Sequence, residues 1–508
     1  MATTEGPVLI RRSTQHDATA DGRPALVAAA GRDRRRARDG DLDGRFLIGQ
    51  MVCGRYCLPS CSLKRSRNEE IRLFVTEAAA RYAGLRACRQ CRPDAGYDGE
   101  ARNLVLYEQL SERVATAPAA FPDVSVLLTE SGLEPDRLVG LFRDHGHLSP
   151  GRWLERTKIR AAAQVLLAGA RPTTAFARDA GFADRPAFEL AFTQRMRLPP
   201  ARYGGLAAAS AFALSLPSGY RAVEVLAYHG RDPASPTERR AGNRIWKALM
   251  TDAGPVVLEV TVGARAARVT VHAERPLGGV VMGRLHASSL AMLGLDGDVE
   301  PFETEHRTLV AGREGLRVAL LPSGFEALSW GIIGQQINLA FAASLRREVI
   351  ALAGVPIGSM RAHPTAQAVA RIAPSDLKAR RFSRAKADYL IDAAHAVASG
   401  ALPLDRLLQG SAVAAERALT ERRGVGIWTA RYVLMRTGFA DAAPVGDSGL
   451  ATALQRLLGI ARRPDAGQTA RLMSRFSPDR ALASAHLWAS LHGLVPVASA
   501  GAAGDADA

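Results

Sequence analysis

Cysteine is scarce in this chain and confined. There are five in 508 residues, all between positions 53 and 91. So sparse a set excludes a disulfide-held secreted scaffold, and its clustering leaves metal binding or thiol chemistry as its use. Acidic residues are also short: 50 Asp and Glu stand against 66 Lys and Arg, a formal charge of +16. Arg dominates the excess, and Arg suits bidentate phosphate contacts, so the balance fits a polyanion as partner. Long apolar runs are missing as well. No stretch reaches the length of a membrane-spanning helix, and MATTEGPVLIRRSTQHD at the N-terminus has no signal-peptide core. A membrane is therefore not an expected partner, and the cytoplasm is the expected location.

The length predicts three or four domains. Residues 1–40 read as a flexible tail with an Arg-rich run at Arg32–Arg38, and residues 498–508 as a disordered tail. Between them the cysteines come first. Cys57 and Cys61 (C-x3-C) face Cys88 and Cys91 (C-x2-C) across 26 intervening residues. Two close pairs separated by a small fold meet the needs of a tetrahedral four-thiolate zinc site. Zinc there keeps a thiol deprotonated and nucleophilic, although a purely structural knuckle has the same spacing. GRYCLPSC and GLRACRQCRPD resemble the N-terminal domain of the adaptive-response (Ada) proteins. The resemblance implies a small α+β zinc domain over 41–96, with Cys57 accepting a methyl group from a DNA methylphosphotriester. Leu58 departs from the family's Arg and Cys53 from its Thr; Cys53 is read as a thiol outside the zinc shell.

Residues 103–208 read as all helix with two helix-turn-helix patterns. One runs from Val124 through SGLEPDRLVGLFRDHGHLSP, and the other is TTAFARDAGFADRPAFELAFTQRMRLPPARY. Leu138, Leu141, Phe142, Phe188 and Phe192 are core candidates. Asp136, Arg137, Asp184, Arg185 and Glu189 are groove-facing candidates, because the start of a recognition helix meets base edges. The second segment resembles the AraC-type DNA-binding domain, and a zinc domain followed by this domain is the order found in Ada regulators. That order implies promoter DNA as a partner, with RNA polymerase as a further one left open. A methylguanine methyltransferase module needs a P-C-H-R cysteine and is not expected, since no Cys follows Cys91.

From Ala211 the pattern changes. VVLEVTVGARAARVTVHA alternates apolar and polar residues, predicting strands with a turn at Gly263-Ala264. A small antiparallel domain is expected over 211–285 and an all-α region over 286–497. Within the latter, Gly424-Val425-Gly426 predicts a tight hairpin in left-handed backbone. A helix follows from Ile427, whose first N–H groups can hold an anion. Asp447 lies 21 residues after Gly426, in a PVGDSG loop.

Gly424 to Ala430, Asp447 and GFEALSWGIIGQQINLAFAASL resemble the AlkA-type helix-hairpin-helix 3-methyladenine DNA glycosylases. The resemblance implies a multidomain, mainly α chain: a small α+β zinc domain, an AraC-type double helix-turn-helix, a small antiparallel α+β domain and a helix-hairpin-helix glycosylase. Asp447 would be the catalytic carboxylate, buried beside the sugar. Trp428, Tyr432 and Trp488 would line the base pocket, with electron-rich faces for a cationic alkylated base. Gly424, Gly426 and Thr429 would bind the DNA backbone, and Gln336 would wedge into the duplex. Bifunctional relatives carry Lys where Trp428 stands, so no Schiff base is expected and the enzyme would leave an abasic site. The competing expectation is a regulator whose C-terminal half binds DNA but is catalytically weak. A monomer is expected.

Overall fold

The computed structural model describes residues 46–61, 71–74, 76–96 and 99–491. Both expected tails and the Arg32–Arg38 run lie outside those residues. Around the cysteines, short β-rich segments form a four-stranded sheet in the order Ile71–Phe74, Leu47–Gln50, Arg55–Cys57, Arg86–Ala87. The first two pairings are antiparallel and the last is parallel. Thr76 caps the helix Glu77–Tyr82 by accepting from the Ala79 backbone N–H. Leu47, Tyr56, Ala80 and Leu85 fill the space between sheet and helix.

The first helix-turn-helix pairs Val124–Ser131 with Pro135–Gly146. It closes on Tyr107, Phe142 and Trp153. The second pairs Thr174–Asp179 with Arg185–Met196, the latter capped by Asp184. Phe188, Phe192 and Tyr203 of this unit share one apolar core with Leu214, Leu258 and Val269 from a five-stranded antiparallel sheet. The sheet order is Ala211–Ser215, Ala266–Ala273, Gly254–Val262, Arg244–Thr251, Glu238–Ala241. Helix Gly279–Met292 packs so closely on helix Pro150–Leu167 that a Cβ on Gly283 would lie 2.4 Å from Leu167 Cδ1.

Two expectations need correction here. The helical region begins at Gly279, earlier than His286, because Gly278 ends the extended chain. It also contains a two-stranded hairpin, Val355–Ile357 with Met360–Ala362. Ile357, Met360 and Ala362 pack on Ala248 and Val257 of the large sheet, a long-range contact that helical periodicity does not encode.

A buried ion network ties that sheet to the glycosylase-like helices. Lys247 Nζ lies 2.5 Å from both Glu238 and Glu326, and Arg346 lies 2.6 Å from Glu326. Burial alone would push the two carboxyls up, but Lys247 and Arg346 hold both below the usual carboxylate range. Removing one partner would strand a buried charge. Among the described residues no helix is long and apolar enough to cross a membrane.

Candidate active site

The hairpin before the helix Ile427–Arg436 depends on one glycine. Gly424 has φ +80°, and a Cβ there would stand 2.2 Å from the Tyr389 ring. Gly426 does not share that geometry. It is the N-cap with φ −86° and ψ 176°, open to any residue, and an added Cβ would meet nothing within 4 Å. The space above Gly426 is therefore vacant. The first backbone bond of the helix runs from Ala430 N to Gly426 O, 3.0 Å. The N–H groups of Ile427, Trp428 and Thr429 thus have no intrahelical acceptor and carry the positive end of the dipole.

Thr429 also departs from expectation. Its side chain is 2% exposed, and its hydroxyl accepts from Gln335 Nε2 at 2.9 Å. What it can offer DNA is a backbone N–H, because the hydroxyl braces the hairpin instead. The same Gln335 amide donates to Gly424 O at 2.8 Å. Lys386 Nζ donates to the carbonyls of Ile333 (2.8 Å) and Gln335 (2.7 Å). Next to this brace stands Gln336, exposed and at φ +57°, so the expected wedge residue projects from a fixed loop. Gln335 and Lys386 were not legible as site residues; the doubled Gln was the one available signal.

Trp428 and Tyr432 stack at 5.5 Å with 15° between planes, as residues four apart on a helix can. Asp447 caps the helix Ser448–Leu458. Its Oδ1 accepts from Leu450 N at 2.8 Å and from Trp488 Nε1 at 3.0 Å. Both bonds fall on one oxygen, so Oδ2 has no protein donor among the described residues. The carboxylate is partly exposed where a buried one was expected, because a helix N-cap sits at the rim of its fold.

Two further residues escaped the sequence. The Arg436 guanidinium lies 4.4 Å from the Tyr228 ring, 5.5 Å from Tyr432 and 5.7 Å from Trp488. Tyr228 comes from helix Ala222–His229 beside the sheet. The aromatic faces are thus shared with a resident cation, which reduces the part that cation–π attraction plays in selecting a charged base.

The thiols form a second site. The sulfurs of Cys57, Cys61, Cys88 and Cys91 all lie within 4.8 Å of one another. Tetrahedral zinc with Zn–S bonds of about 2.3 Å spaces its sulfurs by about 3.8 Å, and the Cys61 and Cys88 sulfurs are 4.0 Å apart. Burial, followed by the neighbouring thiols, pushes Cys57 well up and Cys91 up to about 12. Cys88 falls to about 7, as backbone N–H groups of Cys91 and Gln90 outweigh its own desolvation. Such a cluster carries four thiolates only around a cation, so the donor set fits zinc. Cys53 is exposed and outside the cluster.

In the second helix-turn-helix, Asp184, Arg185 and Ala187 are exposed at the start of their helix, and Arg185 pairs with Glu189 at 2.8 Å. In the first, Asp136 and Arg137 are partly covered. The last turn of that helix meets the glycosylase-like region through His145 Nδ1 and Ser411 Oγ, 2.8 Å apart.

The hairpin, the stacked Trp428–Tyr432 pair and the Asp447 cap lie in one stretch of the chain, and that stretch gives the class, the base-excision repair proteins of DNA. The HhH-GPD superfamily of base excision DNA repair proteins matches residues 330–478. More narrowly, the chain belongs to the DNA-3-methyladenine glycosylase family. It is 34% identical over 209 residues to the DNA-3-methyladenine glycosylase of Bacillus subtilis, covering 39% of this chain and 69% of that one. The metal binding domain of Ada matches residues 32–94 and a helix-turn-helix domain matches 127–205, so the chain is an Ada/AlkA-type fusion. A probable bifunctional transcriptional activator/DNA repair enzyme AlkA of Mycobacterium tuberculosis is 26% identical over 493 residues, 90% of this chain and 95% of the relative. The regulatory protein ada of Salmonella typhimurium is 30% identical over 157 residues, 30% of this chain and 43% of that protein.

Proposed function

We propose that this protein hydrolyses the N-glycosidic bond of alkylated bases such as 3-methyladenine in duplex DNA, with Asp447 as the catalytic carboxylate. The observation that carries this reading is the fixing of Asp447 Oδ1 by Trp488 Nε1 and Leu450 N while Oδ2 stays without a donor. As the bond breaks, positive charge grows on the deoxyribose, and a carboxylate held in place stabilises it without reorganising. Oδ2 is the oxygen available to face that charge and to orient the attacking water. The damaged base would be extruded and stacked against the Trp428–Tyr432 pair, flipping being least costly for a poorly paired base. Gly424, Gly426 and the N–H groups of residues 427–429 would hold the backbone phosphate, and Gln336 would fill the gap left in the duplex. Trp428 offers no amine, so the reaction ends at an abasic site.

Base release from methylated duplex DNA by wild type and Asp447→Asn tests the assignment. The variant is expected to lose release while retaining duplex binding; release near the wild-type rate would refute the role of Asp447. Borohydride treatment on an abasic substrate is expected to trap no covalent adduct. A trapped adduct would overturn the monofunctional reading.

For the N-terminal half we infer stoichiometric methyl transfer to Cys57 and control of a promoter through the helix-turn-helix units, with Arg137 and Arg185 as base-contacting candidates. Zinc, when bound, supplies the charge that keeps the thiol ionised. In the transfer the Cys57 sulfur forms a bond to the methyl carbon, the carbon–oxygen bond breaks, and its electron pair stays on the phosphodiester. Cys57 is 1% exposed and Cys91 is the more open ligand, so the acceptor must be uncovered for the reaction. Mass mapping after incubation with methylphosphotriester DNA decides it: methylation of Cys91 or Cys53 alone would displace Cys57. Recruitment of RNA polymerase and a monomeric state belong to the same reading.

A further inference from the structure

The zinc region meets the catalytic half of the chain at several points, among them Arg72 against Ser474 and Gly84 against Gly467, and one of these contacts is made by a buried side chain. Tyr82, the last residue of helix Glu77–Tyr82, has its ring between two guanidiniums, Arg431 at 3.5 Å and Arg480 at 3.6 Å from the ring centre. Its hydroxyl donates to Ala443 O at 3.2 Å and accepts from Ala443 N. Each guanidinium is held in turn: Arg431 by Glu416 at 2.8 Å, Arg480 by Asp441 at 2.6 and 2.7 Å. The first helix-turn-helix adds His147, whose Nδ1 accepts from Asp441 N at 3.1 Å.

This cluster grips both parts of the active site from behind. Arg431 belongs to the helix Ile427–Arg436 that presents Trp428 and Tyr432. Asp441 and Ala443 open the loop that ends at Asp447, and that loop is closed on itself. Val445 N donates to Ala443 O at 2.8 Å, and Asp447 N donates to Pro444 O at 3.1 Å. A displacement at Ala443 is therefore passed to the backbone of Asp447 across two short hydrogen-bonded turns. Asp447 relies on one indole and one amide to orient its side chain, so it has little means of absorbing such a shift.

We propose that Tyr82 is a positioning residue of the glycosylase, so that base excision depends on the docked zinc region. The proposal rests on the reading of Asp447 as the catalytic carboxylate. Misplacing a catalytic group by about 1 Å can cost up to about a hundredfold in rate. In the full-length chain Tyr82→Ala is expected to lower single-turnover base release about tenfold or more. Duplex affinity should be unchanged, and the backbone amides of residues 443–450 should exchange hydrogen faster. Tyr82→Phe keeps the ring between the guanidiniums and loses only the two hydroxyl bonds, so a smaller loss on both readouts is expected. Wild-type release and wild-type exchange in a folded Tyr82→Ala protein would overturn the proposal. If that variant does not fold, Tyr82→Phe decides alone, and unchanged rate and exchange overturn it. A wild type that releases no base would defeat the reading of Asp447, while the exchange measurement would still decide whether Tyr82 holds the loop.

Discussion

At the scale of single residues, the division of labour within one carboxylate matters most. Trp488 Nε1 and Leu450 N both engage Asp447 Oδ1, and hydrogen bonds to charged groups contribute about 1.5–3 kcal/mol. Trp488→Phe keeps an aromatic ring but removes the indole donor. Base release should fall roughly ten- to a hundredfold, with little change in duplex affinity, as single-turnover kinetics and a binding titration would report. Equal rates would mean that the indole only packs. Asp447 and the four clustered cysteines were legible in the sequence because their chemistry depends on spacing along the chain. Tyr82, Tyr228 and Arg436 were not. Each acts on partners that are adjacent only after folding, and nothing local to any of them sets it apart from an ordinary core or surface residue.

Among elements, the hairpin separates two glycines that look alike in the sequence. Gly424→Ala would force a side chain into left-handed backbone and into the Tyr389 ring 2.2 Å away. A loss of at least about 1–2 kcal/mol in stability is expected, with base release lost alongside. Gly426→Ala meets an ordinary φ and open space. Thermal stability should hold while affinity for duplex DNA falls, because the methyl group occupies the space a phosphate would approach. Melting and binding measured on both variants separate the cases, and a Gly426→Ala protein with wild-type affinity would remove the phosphate from that position. The helix after the hairpin was predictable from its apolar residues. The hairpin Val355–Ile357/Met360–Ala362 was not, since what stabilises it is the sheet beneath it.

For the whole molecule, acid is the informative variable. Burial lowers His145 to about 3 and His147, His229, His286, His363 and His486 to about 4. The unfolded chain takes up these protons near pH 6.5 and the folded one does not. Their contribution to stability is therefore complete above that pH and is lost as pH falls toward 4. Asp144 and Asp479 work in the opposite sense. Burial raises each to about 6, so their contribution is greatest in acid and is lost as pH rises through 6. Six groups act against two, so the histidines outweigh the two carboxyls as pH falls from 7 to 5. Tm should drop by several degrees or more between pH 7 and pH 5, a fall that scanning calorimetry would detect; a higher Tm at pH 5 would contradict this balance.

The order of modules was readable from the sequence, since each carries its own motif. The joint between them was not. Periodicity marks Phe188 and Phe192 as buried without saying what covers them. They share an interior with Phe212 and Leu214 from beyond the change of helix to strand at Ala209 and Ser210. A gene cut at those two codons would give each product an apolar scar: Phe192 and Tyr203 bared on one fragment, Leu214 and Val269 on the other. Neither descendant would inherit a closed interior, and each would need new polar residues on the bared face before it could persist alone. Separating the regulator from the rest at that point is therefore expected to cost both fragments stability, because the interior they share is closed only when the two are joined.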